Sequence, residues 1–386
     1  MRLFLVCALC AGSCWAADDK RPVKIGLDAE FSLDNSISAQ AIEKGMRIAI
    51  AEINAQGGVL KGRPLELVTR DNGSIPARGI KNIREFAAMP DLVAVFGGRF
   101  SPVLLEEMNT VKETRMLLMA PWSSADPIID NDMHPNSVFR LSLRDSLAMP
   151  KMFQVSAQRG FQNIGLLLTN TGWGRSNRDA AEAYAQSHPQ PRIVHTAWYN
   201  FKDKSLIDKY ESLLKAGAQA VILVANDDEA AVLVREVAAL PAARRIPILS
   251  HWGVAGGEFV AQAGPALEQV DFTVIQTFSF FKARPQALAN FFKQAKDFGI
   301  TRPEDVRAPT GVAHAYDLTH ILARAIDRAG STDRARVRDA LEKVGSYRGL
   351  IKTYPQPFTN RRHEALGPED LLMARFRPDG TLIPTN

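Results

Sequence analysis

The stretch from Val23 to Asp71 narrows the possible folds of this chain more than any other. Val23, Ile25 and Leu27 form a short apolar run suited to a strand. A polar loop follows, with Ser36 or Ser38 placed to cap a helix. Ile42, Met46, Ala49, Ile50 and Ile53 then recur at spacings that lay one apolar stripe along that helix. Gly57 and Gly58 supply the left-handed backbone that ends it, and Leu65 to Thr69 resumes a strand. Strand, helix and returning strand make a βαβ unit, which requires a parallel sheet around it.

The alternation continues. Pro76 to Ala88 carries a helical pattern, and Leu92 to Phe96 is an unbroken apolar strand of the kind buried on both faces. Met116 to Ala120 is the next strand. A second series begins at Val138 and repeats the alternation to Asp271. Two doubly wound units are therefore expected, roughly Val23 to Asn136 and Val138 to Asp271. A length of 386 residues agrees with two lobes. Phe272 to Phe278 reads as a strand, followed by helices at Pro285 to Phe298, Gly311 to Ala329 and Thr332 to Lys343. Short strands are expected in the tail at Leu350 to Thr353 and Leu371 to Phe376. No Pro/Gly/Ser-rich linker separates the halves, so ordered strands must join them.

Residues 1–16, MRLFLVCALCAGSCWA, read as a secretory signal peptide: Arg2, an apolar core, and a small-residue cleavage site at Cys14-Trp15-Ala16. This run is too short for a membrane span. The three cysteines, Cys7, Cys10 and Cys14, all lie within it, so the Cys7-x-x-Cys10 spacing carries no redox or metal meaning after cleavage. Ala11-Gly12-Ser13-Cys14 loosely resembles a lipid-attachment sequence, without the usual leucine. The expected product is periplasmic. Its net charge of +5 is scattered among acids, with no basic stripe or reading motif for nucleic acid.

Open parallel sheets bind ligands at the carboxyl ends of their strands. Gly98-Arg99-Phe100-Ser101-Pro102 is one such loop: the glycines let backbone approach a ligand, and Ser101 opens a helix whose free N–H groups suit an anion. Ser101 is equally an ordinary helix cap. Trp122-Ser123-Ser124 offers two hydroxyls that either bond a small polar ligand or close a turn. Trp173 and Trp252, flanked by glycine in loops, interrupt the periodic pattern in which core tryptophans usually sit. His251 is a lone loop histidine. Asp227-Asp228-Glu229 is an acidic cluster, also explained by the helix dipole. The dinucleotide, P-loop, zinc-protease and nucleophile-elbow motifs do not occur. No enzyme activity, cofactor or metal is therefore expected.

Four segments, GMRIAIAEINAQGGVLKGRPLELVTRDN, DLVAVFGGRFSP, VFRLSLRD and GAQAVILVANDDEAAVLVREV, resemble the leucine/isoleucine/valine-binding proteins of ABC importers. The resemblance spans nearly the whole chain after residue 16. It implies two Rossmann-like lobes joined by a three-strand hinge, with lobe 1 at 22–143 plus 274–346 and lobe 2 at 144–273 plus 347–386. It also implies a monomer that captures a small carboxylate-bearing ligand, by default an amino acid, for ABC permease subunits. Phe100, Ser101, Trp122, Ser123, Ser124, Trp173, Asn226, Asp227, His251 and Trp252 are the residues expected around that ligand. Of these, Ser101 matches the family's carboxylate-binding serine, and Trp173 and Asn226 or Asp227 fall where the family has tyrosines. Trp252 stands where an acid commonly meets the ligand ammonium, and Trp122 replaces a small residue. Asp227 or Asp28 is then needed to supply the missing charge, or else the ligand is an aromatic or simple carboxylate stacked on tryptophan. A sensory protein presenting its ligand to a receptor kinase is the alternative role. A secreted α/β hydrolase fits poorly, because Pro102 removes an oxyanion donor N–H.

Overall fold

The apolar run at the start of the pattern forms strand β1 (Val23–Ala29). Helix α1 (Ile37–Ala55) follows, with Ile42, Met46, Ala49, Ile50 and Ile53 on its buried side. Strand β2 (Leu65–Asp71) pairs with β1 in parallel, Leu65 opposite Val23. Gly57 and Gly58 turn the chain between them at φ of 105° and 74°, backbone that a side chain would strain. The expected caps are corrected. Ser36 occupies the cap position but makes no capping bond. Ser38 lies inside the first turn and donates its hydroxyl to Glu30 at 2.5 Å. A computed structural model describes residues 20–34 and 36–385, so the leader with Cys7, Cys10 and Cys14 lies outside the described residues.

The first sheet is completed by α2 (Pro76–Ala87), β3 (Leu92–Gly97), α3 (Ser101–Thr114), β4 (Leu117–Ala120) and β5 (Val138–Arg140). Its order is β2-β1-β3-β4-β5, parallel throughout. Every residue of β3 and β4 is buried, as an apolar strand covered on both faces should be.

The second unit runs α4 (Asp145–Gln158), β6 (Asn163–Thr169), α5 (Gly172–Ser187), β7 (Arg192–Tyr199) and α6 (Ile207–Lys215). It continues with β8 (Ala220–Val224), α7 (Asp227–Ala238), β9 (Ile248–Ser250), α8 (Phe259–Ala263) and β10 (Phe272–Gln276). Helices α9 (Pro285–Ala295), α10 (Pro309–Ala329) and α11 (Arg334–Leu341) come next, and α10 packs along α1. The tail holds the hairpin β11 (Tyr347–Arg348) and β12 (Thr353–Tyr354), then β13 (Leu372–Phe376) and β14 (Leu382–Pro384).

The second sheet has the order β14-β13-β10-β9-β8-β6-β7. Strands β7, β6, β8, β9 and β10 are parallel, whereas β13 and β14 are antiparallel additions. A short turn joins β13 to β14, which requires the antiparallel sense of that pair. Strand expectations at Leu350 to Thr353 shift to the short hairpin on either side of that segment.

The chain passes between the sheets three times, after β5, after β10 and after α11. Before reaching the second sheet the tail also runs beside β5. There Arg140 donates its N–H to the His363 carbonyl at 2.8 Å, and Ala365 donates to the Arg140 carbonyl at 2.9 Å. No helix among the described residues is long and apolar enough to cross a membrane.

Candidate functional site

The loop between β3 and α3 is held from below by Glu30, which is buried. Its carboxylate accepts from the Arg99 N–H at 3.3 Å and from Ser38 at 2.5 Å, so the loop and the start of α1 share one anchor. Ser101 is the first helical residue rather than the cap, a place taken by Phe100. Its side-chain oxygen accepts from the N–H groups of Ser124 at 3.1 Å and Ala125 at 3.3 Å. With its lone pairs so used, the Ser101 hydroxyl has a proton to donate. It sits at the N-terminus of α3, where Pro102 has no N–H and Val103 donates to the Phe100 carbonyl at 3.0 Å, so the Ser101 N–H and hydroxyl are the donors of this turn that remain. Reading Ser101 as a plain cap is thereby corrected.

The segment after β4 carries Trp122, Ser123 and Ser124, all buried. Ser123 is spent on structure, donating to the Gly98 carbonyl at 2.8 Å. Fully buried Arg140 braces this segment from beneath, with bonds to the carbonyls of Ser123 (3.4 Å) and Ala125 (2.8 Å). Its other face makes a two-pronged pair with Glu364 at 2.9 and 2.5 Å. Sequence patterns gave no sign of this brace, because Glu364 lies 224 residues away.

From the second lobe come Trp173, Phe201, Asn226 and Trp252. Trp173 stands in the first turn of α5 rather than in a loop, because Thr171 caps that helix by accepting from the Gly174 N–H. Asn226 precedes α7 without using its side chain as a cap. His251 is buried behind the tryptophans: Nδ1 accepts from the Trp252 N–H at 2.9 Å, which leaves Nε2–H to donate to Asp145 at 3.1 Å. The ring of Trp173 meets His251 edge-on at 5.0 Å. Trp122 and Trp252 approach each other across the cleft at 5.8 Å.

Between the lobes lies a cavity of about 180 Å³. Of the expected residues, Phe100, Ser101, Trp122, Ser124, Trp173, Asn226 and Trp252 line it. Ser123, His251 and Asp227 do not, and each has the structural partner described for it. Asp227 is bound by Arg99, whose Nη1 donates to it at 2.8 Å and to the Gly253 carbonyl at 3.0 Å. Asp28 does not line the cavity; it accepts from the side chains of Asn72 (3.0 Å) and Asn82 (2.6 Å). Neither acid is free to supply the missing charge.

Arg99 itself lines the cavity and was not among the expected residues. The signal was a single cation between glycine and an aromatic, in a loop already singled out. Phe201 and Thr171 also line it without a pattern to announce them. Phe201, 44% exposed, meets Phe100 edge-on at 6.4 Å, one from each lobe. A larger, more open hollow of about 610 Å³ lies between α1 and α10. Its central polar groups answer one another: Tyr316 donates to Glu52 at 2.5 Å, and His320 lies 3.2 Å from the same carboxylate. The interlobe cavity is the better site, since both lobes line it and its walls carry five aromatic rings beside Ser101 and Arg99.

Two α/β lobes joined by three crossings, with a cavity lined from both, define a two-lobed binding protein of the type I periplasmic class. The chain belongs to the periplasmic binding protein family, whose model matches residues 22–381. It is 23% identical over 352 residues to the Leu/Ile/Val-binding protein homolog 2 of Brucella abortus (strain 2308), covering 90% of each chain. The fold is similar to a type 1 periplasmic binding protein from Bordetella pertussis Tohama I, with a TM-score of 0.83 at 20% identity, covering 94% of this chain and 99% of that one. It is also similar to a solute-binding protein of an ABC transporter from R. palustris, in complex with benzoate. That TM-score is 0.74 at 15% identity, with 94% and 95% of the two chains covered.

Proposed function

We propose that this chain is an extracytoplasmic solute-binding protein that captures a small carboxylate-bearing ligand between its lobes and delivers it to an ABC importer. The observation that carries the reading is the interlobe cavity with the Ser101 hydroxyl and Arg99 at the N-terminus of α3. Hydroxyl, guanidinium and helix dipole all favour a carboxylate there. The named relatives support the same group: leucine, isoleucine, valine and benzoate share a carboxylate and little else. Lobe 1 at 22–143 plus 274–346 and lobe 2 at 144–273 plus 347–386 then close on the ligand by hinge motion. The leader at 1–16 exports the chain to the periplasm; cleavage before Cys14, the alternative, would instead leave that residue to carry a lipid anchor.

Capture is tested by calorimetric titration of the purified chain with small carboxylates, for which one ligand per chain is expected. Delivery is tested in cells. Deleting the gene should remove high-affinity uptake of whichever carboxylate binds in vitro. Unchanged uptake would sink the importer role and leave capture standing.

A further inference from the structure

Resting on the capture reading above, we propose that the ligand is a small aromatic monocarboxylate without an amino group, and not an α-amino acid. Three observations in the cleft lead there.

The first is charge. No carboxylate lines the cavity among the described residues. Asp227 is taken by Arg99, and Asp28 by two asparagine side chains. A ligand ammonium would therefore meet only neutral acceptors such as Asn226, Ser124 and Thr171, and it would do so beside a guanidinium. A charged group brought out of water needs a charged or fully bonded partner.

The second is unanswered hydrogen bonding. Three buried side-chain atoms of cavity residues have no partner: Trp122 Nε1, Trp173 Nε1 and Arg99 Nε. All three are donors. Buried donors without acceptors are a standing cost, removed when an acceptor arrives. A carboxylate only accepts, so at Ser101 it sits beside Arg99 and adds acceptors where the unpartnered groups are all donors. An ammonium only donates, and answers none.

The third is shape. Trp122, Trp173, Trp252, Phe100 and Phe201 surround the space with five aromatic side chains. Its volume of about 180 Å³ is close to the ~150 Å³ of an apolar protein cavity that accepts benzene. One six-membered ring with a short carboxylate fills it, the carboxylate toward Ser101 and Arg99 and the ring among the tryptophans.

The test is thermal unfolding of the purified chain with benzoate, 4-hydroxybenzoate and phenylacetate, set against L-leucine, L-phenylalanine and benzylamine. The aromatic carboxylates should raise the midpoint by a few degrees at saturation, and the three amines should leave it unchanged. Equal stabilisation by L-leucine or L-phenylalanine would overturn the exclusion of the amine while leaving capture intact. No shift with any carboxylate would take the capture reading down as well, so the two failures are told apart. Trp122→Phe and Trp173→Phe keep a ring but remove a donor. Each should weaken benzoate binding by about tenfold. Unchanged affinity in both variants would overturn the donor argument.

Discussion

Arg99 leaves the first lobe at the head of α3 and ends on Asp227 and Gly253 of the second. Its guanidinium also lies over the Phe100 ring at 4.5 Å. One buried side chain thus joins the lobes and lines the cavity. Arg99→Gln keeps some hydrogen bonding but removes the charge, and leaves Asp227 without its cation. Carboxylate affinity should fall by about 1.5–3 kcal/mol, roughly ten- to a hundredfold, as measured by calorimetry. His314 tests the same region by pH. It is fully buried, with Nδ1 donating to the Pro121 carbonyl at 2.8 Å and Nε2 accepting from Thr277 at 2.8 Å. Burial pushes its pKa down to about 4, below the ordinary value near 6.5. The unfolded chain binds the proton more readily, so this residue's contribution to stability is lost as pH falls from about 6.5 towards 4. His314→Gln does not titrate. Its deficit relative to the parent should therefore be largest above about pH 6.5 and shrink by up to about 3 kcal/mol at pH 4, read from denaturant curves. A constant deficit would show that His314 is not buried as a neutral ring.

Single residues were partly legible from the chain. Ser101, Trp122, Trp173 and Trp252 stood out because each lies just beyond a strand, and the cavity does collect them. The division of labour among their neighbours was not legible. Ser123 and Ser124 look alike in sequence, yet one bonds the Gly98 carbonyl and the other faces the cavity. Asp227 reads as a ligand partner until the distant Arg99 is seen to hold it. Such pairings depend on contacts over 128 residues, which no local pattern encodes.

At the scale of elements, the turn Trp252–Gly256 shows why the second lobe fits the first. A side chain at Gly256 would lie 2.3 Å from Arg99 Nη1 and 2.5 Å from its Cδ, so the glycine is the bed on which Arg99 lies. Gly256→Ala should push Arg99 away from Asp227 and weaken ligand binding by about tenfold, with the isolated lobes' packing little changed. Parent-like affinity would mean that Arg99 has room to spare. Arg140 makes a different prediction, for stability. Arg140→Met leaves buried Glu364 with only Arg144, 3.5 Å away, as a cation and should cost about 3 kcal/mol. Adding Glu364→Leu should recover much of that loss, since no charge is then stranded. Equilibrium unfolding of the two variants measures both. The alternation of strands and helices was readable because buried parallel strands are apolar throughout and helices carry a stripe. The start of α5 was hidden because Gly172, Trp173 and Gly174 are poor helix formers, and a threonine cap overrides them.

At the scale of the whole molecule, the lobes touch through contacts that a hinge can break together. Arg99 with Asp227, Phe100 with Phe201, Trp122 with Trp252, and the Asp126 N–H with Ser176 at 3.0 Å all cross the cleft. Two of these are aromatic pairs, so separating the lobes would expose the buried rings of Trp122 and Trp252. The three crossings are where the proposed hinge would turn. Two lobes were legible from two successive βα series. The excursion of the tail along β5 was not, because it rests on contacts between residues far apart in the chain, among them the Arg140–Glu364 pair, two backbone bonds and the His363 bond to the Val138 carbonyl.

The most direct measurement is a crystal structure of the chain grown with benzoate. The carboxylate is expected within hydrogen-bonding distance of the Ser101 hydroxyl at the head of α3, with the ring between Trp122, Trp173 and Trp252. Ligand density in the open hollow by Glu52 and Tyr316, with the interlobe cavity empty, would contradict the account.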